Sequence, residues 1–132
     1  LGYECAIATG DWRASLELKL NAAQIPWQHL PIATSSDRPT RAETIALAAE
    51  RAGRPITETI YIGDGLWDLR ATRSLGIPFI GVGVKHTALA AAGAEFVHPT
   101  LEPDRILPLL NQIAESTPRS PALNSSPLPA KQ

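Results

Sequence analysis

Two carboxylates four residues apart, Asp64 and Asp68, head the chemistry-bearing residues of this sequence. The run Tyr61-Ile62-Gly63-Asp64-Gly65-Leu66-Trp67-Asp68 carries them from the end of an apolar segment into the start of a helix. At i and i+4 on a first turn they share one face. Oxygen ligands of that kind suit magnesium, which takes one or two carboxylates and fills its octahedron with water and substrate phosphate. The plainer use of the same residues is structural, with Asp64 capping the helix and Asp68 complementing its dipole. Gly63 and Gly65 suit a tight turn in which backbone approaches a ligand, although glycine also serves ordinary turns. Upstream, Ala6-Ile7-Ala8-Thr9-Gly10 ends in a hydroxyl and an unobstructed amide. Together these donate to a phosphoryl oxygen, as donors fixed in advance do where negative charge accumulates; alone, Thr-Gly is a turn. Arg38 and Arg41 flank a helix start, where a guanidinium neutralises phosphate charge beside the helix amides. Either arginine also reads as a solvated surface charge.

These residues need elements to carry them. Tyr3 to Thr9 is short, apolar apart from Glu4, and stopped by Gly10, as expected for a buried parallel strand. A helix follows, with Asp11 as N-cap and Trp12, Leu16, Leu20 and Ala23 on one face, ending before Pro26. Leu30 to Thr34 forms a second strand. Thr40 with Glu43 three residues on is a capping-box pattern, opening a helix whose buried stripe is Ile45, Ala48, Ala49 and Ala52 and whose stop is Gly53. Thr59 to Ile62 is a third strand, followed by a helix from about Leu66 to Leu75 closed by Gly76. Pro78 to Val82 is a fourth strand, His86 to Ala92 a small turn or helix, and Glu95 to His98 a short edge strand. Ile106, Leu109, Leu110 and Ile113 mark a last helix with Pro103 near its start. Strands alternating with helices of this length predict an α/β fold, an open parallel sheet covered on both faces. Ligands of such sheets bind at the carboxyl ends of the strands, where Thr9 and Asp64 fall. Trp12 and Trp67 each begin a helix beside a candidate site residue and are expected to pack in the core.

The order strand-Thr9-Gly10, arginine at a helix start, then Gly63-Asp64-Gly65-Leu66-Trp67-Asp68 resembles the haloacid dehalogenase (HAD) superfamily over about Tyr3 to Ile113. Leu75-Gly76-Ile77-Pro78-Phe79-Ile80-Gly81-Val82 is similar to the strand that follows the acidic motif there. The resemblance implies a Rossmann-like core, phosphate binding by Thr9 and Gly10, and Mg2+ coordination by Asp64 and Asp68. For the basic motif, Arg38-Pro39 resembles a Lys-Pro version and Thr40-Arg41-Ala42-Glu43 a Ser-Arg-Glu version, and Arg41 is the favoured match. The family's first motif, an Asp-x-Asp that supplies nucleophile and acid/base, occurs nowhere in these residues. The resemblance implies that its strand lies centrally, between Tyr3–Thr9 and Thr59–Ile62. The expected parent is a magnesium-dependent phosphatase acting on a small phosphomonoester through an aspartyl-phosphate. The chain alone is expected to be marginally stable and inactive. The alternatives are a haloacid dehalogenase, which needs no metal, and a non-catalytic remnant or a phosphate- or protein-binding module.

Composition bounds the rest. The chain has 132 residues, 44% hydrophobic and 19% charged, as one globular domain would. Twelve basic residues against thirteen acidic give a net charge of −1, which argues against nucleic acid or anionic lipid as partners. No apolar stretch reaches the ~20 residues that span a bilayer. The single cysteine, Cys5, excludes an internal disulfide and is expected to be buried, consistent with a cytoplasmic setting. His29, His86 and His98 lack metal-ligand spacing, and Lys85 reads as a solvated lysine. The start at Leu1 and the absence of methionine suggest a partial reading frame. Residues 1–115 are expected to form the partial core. Ser116 to Gln132, with four prolines, four serines and no aromatic, is expected to be a disordered tail.

Overall fold

The computed structural model describes residues 2–117. Strands and helices alternate: β1 (Ile7–Ala8), α1 (Arg13–Ala22), β2 (Ile32–Ala33), α2 (Arg41–Arg51), β3 (Tyr61–Gly63), α3 (Leu66–Leu75), β4 (Phe79–Val82), α4 (His86–Ala91), β5 (Phe96–His98) and α5 (Pro103–Ser116), with one 3-10 turn at Ile56–Glu58. All strand pairings are parallel, so the fold is α/β, as the alternation predicts. Ser116 closes α5 and Thr117 caps it, one residue beyond the expected end of the core. The rest of the expected tail, 118–132, lies outside the described residues. Among the described residues, no helix is long and apolar enough to cross a membrane.

The sheet comes in two parts, β1-β2 and β3-β4-β5. Successive residues of β4 serve opposite faces of the larger part. Ile80 and Val82 pack against Ile106 and Ile113 of α5, joined by Ile60 and Ile62. Phe79 packs the other way, on Leu69 of α3 and Leu89 of α4, so helices cover both faces. The smaller part rests on α2, where Leu47 and Ala48 meet Ala33 and Ala8. Helix α2 also joins the two parts, because Ile45 packs on Ala71 and Ile77 as well as on Ala8 and Tyr61.

The facing edges of β1 and β3 share no ladder. Ile7 and Thr9 donate their N–H groups to Pro31 and Ala33 at 2.9 and 3.1 Å, toward β2. Alternation therefore turns the backbone polar groups of Ala8 away from β2. Tyr61 likewise donates to Pro78 at 3.0 Å, toward β4, which turns the groups of Ile62 toward β1. A single side-chain bond crosses between the edges, from the Tyr61 hydroxyl to the Ala8 carbonyl at 3.1 Å.

Local signals account for the helix ends near the site. Thr40 Oγ1 accepts the Glu43 N–H at 3.2 Å and donates to the Glu43 carboxylate at 2.6 Å, the expected cap of α2. Gly76 ends α3 at φ 71°, a left-handed conformation that glycine adopts without strain. Three expectations are corrected. Asp11 is not the N-cap of α1; Trp12 holds that position, the Arg13 N–H is taken by Ser36 Oγ at 3.1 Å, and Asp11 pairs with Lys19 at 2.9 Å. Cys5 is exposed rather than buried, because only Ile7 and Ala8 of the expected Tyr3–Thr9 strand find a partner. Trp12 and Trp67 are 67% and 51% exposed rather than core, since both sit at helix starts on the rim formed by the strand ends.

Candidate functional site

Strand ends and helix starts bring most of the expected residues to one rim. Thr9 and Gly10 follow β1, Asp64 follows β3, Asp68 lies in the first turn of α3, and Arg41 is the first residue of α2. A long side chain on a helix leans toward the helix N-terminus, which aims Arg41 at the rim. Its guanidinium lies against Gly10, where a Cβ would stand 2.9 Å from Nη2. Its Nε lies 3.5 Å from Asp68 Oδ1. Gly10, Arg41 and Asp68 therefore form a continuous chain of contacts, with Asp64 near enough for its charge to act on Asp68. Arg38 does not join them: it is exposed, and its guanidinium bonds the Asp37 carbonyl at 3.0 Å.

Each group is held in a state suited to an anion or a cation. The Thr9 N–H is committed to Ala33, so the amide available at this turn is that of Gly10. Thr9 Oγ1 accepts the Asp11 N–H at 3.1 Å, which leaves the hydroxyl proton to donate. Asp68 is 3% exposed. Its Oδ2 accepts the Gly65 N–H at 3.1 Å, whereas its buried Oδ1 has no hydrogen-bond partner. Burial raises the Asp68 carboxyl above the usual range and the nearby Asp64 charge adds to this, while the Arg41 charge and the Gly65 N–H oppose it. A carboxylate oxygen held only by the 3.5 Å ion pair with Arg41, beside a second carboxylate, fits a hard divalent cation. Among the described residues, no group of three His, Cys, Asp or Glu is assembled, so the protein ligands on offer are these two aspartates.

Tyr61 belongs to the same neighbourhood, although its sequence pattern marks it only as part of an apolar strand. Burial pushes its hydroxyl up to about 12, and the Asp68 charge adds to the shift. The available signal was chemical: a tyrosine inside a buried strand needs a partner for its hydroxyl. The histidines stay outside the site, His86 Nδ1 lying 3.0 Å from the Gly83 carbonyl and His98 Nδ1 3.0 Å from the Thr100 carbonyl. Two surface cavities of about 320 and 290 Å³ lie around α5 and beside β4 and β5 and include none of the rim residues.

Comparison with known proteins bears on the fold and the family. The chain is similar to a hydrolase from Pseudomonas syringae whose crystal structure is known, with a TM-score of 0.69 and 29% identity. The match covers 83% of this chain and 54% of that one, so the chain spans about half the length of this relative. The family model described as haloacid dehalogenase-like hydrolase matches residues 1–82, which include Thr9, Gly10, Arg41, Asp64 and Asp68. With the parallel α/β fold and the rim already in place, the chain belongs to the haloacid dehalogenase-like hydrolases.

Proposed function

We propose that the parent of this chain is a magnesium-dependent phosphatase of small phosphomonoesters, and that this chain supplies the phosphate grip and the metal carboxylates. The observation that carries the reading is the contact chain from Gly10 through Arg41 to Asp68 at the carboxyl ends of the strands. It sets an amide and a guanidinium beside a buried carboxylate, with the Thr9 hydroxyl and Asp64 on the adjoining strand ends, the mixture that binding an anion and a cation together requires. Asp64 and Asp68 would hold Mg2+, which when bound offsets phosphate charge. The pair of neighbouring carboxylates, Asp64 and Asp68, favours this over a metal-independent dehalogenase.

The residues of this chain act in stated ways. The Thr9 hydroxyl and Gly10 amide donate to phosphoryl oxygens, and preorganised donors of this kind gain strength as charge builds there. Arg41 presents positive charge to the same oxygens while its Nε favours the ionised form of Asp68 and orients it. In the parent, an aspartate carboxylate would attack phosphorus as the ester P–O bond breaks, and the departing oxygen would take a proton from a second acid. Water would then release phosphate from the aspartyl-phosphate. No Asp-x-Asp pattern supplies those two groups here. The edge groups of Ala8 and Ile62 are arranged to bond a parallel strand between them, and the carboxyl end of such a strand would lie between Thr9 and Asp64. A phosphate-binding module without catalysis is the second reading, favoured by the same missing pattern.

The test uses the chain itself with Mg2+ and two readouts. Calorimetry with inorganic phosphate is expected to detect binding that weakens at least tenfold in Arg41→Met and loses its Mg2+ dependence in Asp64→Asn. A phosphomonoesterase assay is expected to stay at background. Absence of phosphate binding, or binding indifferent to Arg41, sinks the phosphate-grip reading, and turnover by the chain alone sinks the assignment of the nucleophile elsewhere.

A further inference from the structure

Beside the proposed site, β4 ends at Val82 and the chain turns through Gly83 at φ 100°. A Cβ at Gly83 would stand 3.8 Å from the Cβ of Asp64, so the segment Gly83-Val84-Lys85 passes directly beside the acidic turn. Lys85 Nζ lies 5.8 Å from the centroid of the Trp67 ring. That ring packs against Gly65, where a Cβ would collide with its Cε2, so the indole lies on the bare backbone next to Asp64. Any larger residue at 65 would force it away. The result is an aromatic plate, 51% exposed, carrying an ammonium group at the rim of the site.

The charge on Lys85 is uncommitted. Among the described residues it enters no ion pair, whereas Arg41, the other cation at the rim, is paired with Asp68. An exposed cation–π contact contributes only ~0.5–1 kcal/mol, so an anion arriving at Lys85 displaces little. It meets a strongly hydrated point charge on a flexible stem. The indole face meanwhile offers apolar surface to the carbons that link such an anion to the phosphate.

We infer that Lys85 and Trp67 form a specificity element for a phosphomonoester whose leaving group carries a second anionic group, a carboxylate, with Lys85 binding that carboxylate and Trp67 packing the intervening carbons. This rests on the phosphate-binding reading of the rim. Two probes separate the two ideas: propyl phosphate, and the phosphate ester of 3-hydroxypropionate, which differs by the terminal carboxylate. Calorimetry on the 132-residue chain with Mg2+ is expected to give at least tenfold tighter binding of the carboxylated probe. Lys85→Met is expected to bring that ratio to within about twofold of unity, and Lys85→Arg to retain most of it. The carboxylated probe is also expected to change Trp67 emission, as judged against Trp67→Phe, because it draws the ammonium from the ring. Equal binding of both probes, or a preference that survives Lys85→Met, overturns the specificity element and leaves the phosphate grip standing. If neither probe binds, both fall.

Discussion

Replacing Arg41 with methionine removes the charge nearest a buried carboxylate, and the loss follows from the geometry. At 3.5 Å between Nε and Oδ1, an effective dielectric of ~20 gives a gross attraction of about 5 kcal/mol. That is an upper bound, because the variant also recovers the desolvation cost of the guanidinium, whose side chain is 22% exposed, and Asp68 keeps its bond from the Gly65 N–H. Stranding one member of a buried pair costs ~3–5 kcal/mol where burial is complete. For this partly exposed pair we expect Arg41→Met to lose about 2–3 kcal/mol at pH 7 in urea titrations run with chelator. The pH dependence has a definite sign. Burial already raises the Asp68 carboxyl, with Arg41 opposing, so removing Arg41 raises it further. A carboxyl raised by folding holds more protons in the folded than in the unfolded state, so stability falls as pH climbs from the ordinary carboxylate value through the folded one, then levels off. The deficit of Arg41→Met is therefore largest near neutrality and closes on acidification. Adding Asp68→Asn should recover part of the loss, because no stranded charge remains. A loss below about 0.5 kcal/mol at pH 7, or one that is the same at every pH, would refute the reasoning.

Two further substitutions probe the frame that carries the rim. Ile80 is 0% exposed and packs with α5, so Ile80→Ala should cost about 3 kcal/mol through lost burial and a residual cavity, read as a lower urea midpoint with an unchanged slope. Tyr61→Phe removes the side-chain bond between the β1 and β3 edges and should cost about 1 kcal/mol, with faster amide exchange on Ile7 and Thr9, whose N–H groups bond Pro31 and Ala33; a variant as stable as the parent chain would mean that bond contributes nothing.

Elements bounded by local chemistry were legible in the sequence, and those that depend on distant partners were not. Helix α3 runs from Leu66 to Leu75 as read, because Gly65 and Gly76 mark its ends by backbone demands that few other residues meet. Helix α2 was equally plain from Thr40 and Glu43. In contrast, Tyr3 to Thr9 reads as one strand although two residues pair, since a ladder extends only as far as its neighbour and β2 is just as short. Cys5 and Trp12 were misplaced for the same reason: an apolar residue signals burial only if something covers it, and pattern alone cannot supply the cover. Between Arg38 and Arg41, motif resemblance favours Arg41 without excluding Arg38. The choice turns on which residue opens α2 and which lies in the preceding loop, a difference of three positions that decides whether the guanidinium meets Asp68 or the Asp37 carbonyl.

The division of the sheet also explains why α2 matters more than its length suggests. Thr9 and Gly10, proposed to grip phosphate, follow one part of the sheet and the two aspartates the other, and the β1 and β3 edges exchange no backbone bonds. Apart from the Tyr61–Ala8 bond, their separation is therefore set by α2, through Leu47 and Ala48 on one side and Ile45 on the other, with Arg41 at its tip touching both halves of the rim. A strut made of apolar contacts fixes distance well only while its core stays tightly packed. Loss of packing along α2 should therefore degrade the phosphate grip before it unfolds the chain. A strand bonded to both Ala8 and Ile62 would replace that indirect spacing with two ladders, tying the donors and the carboxylates to one rigid sheet.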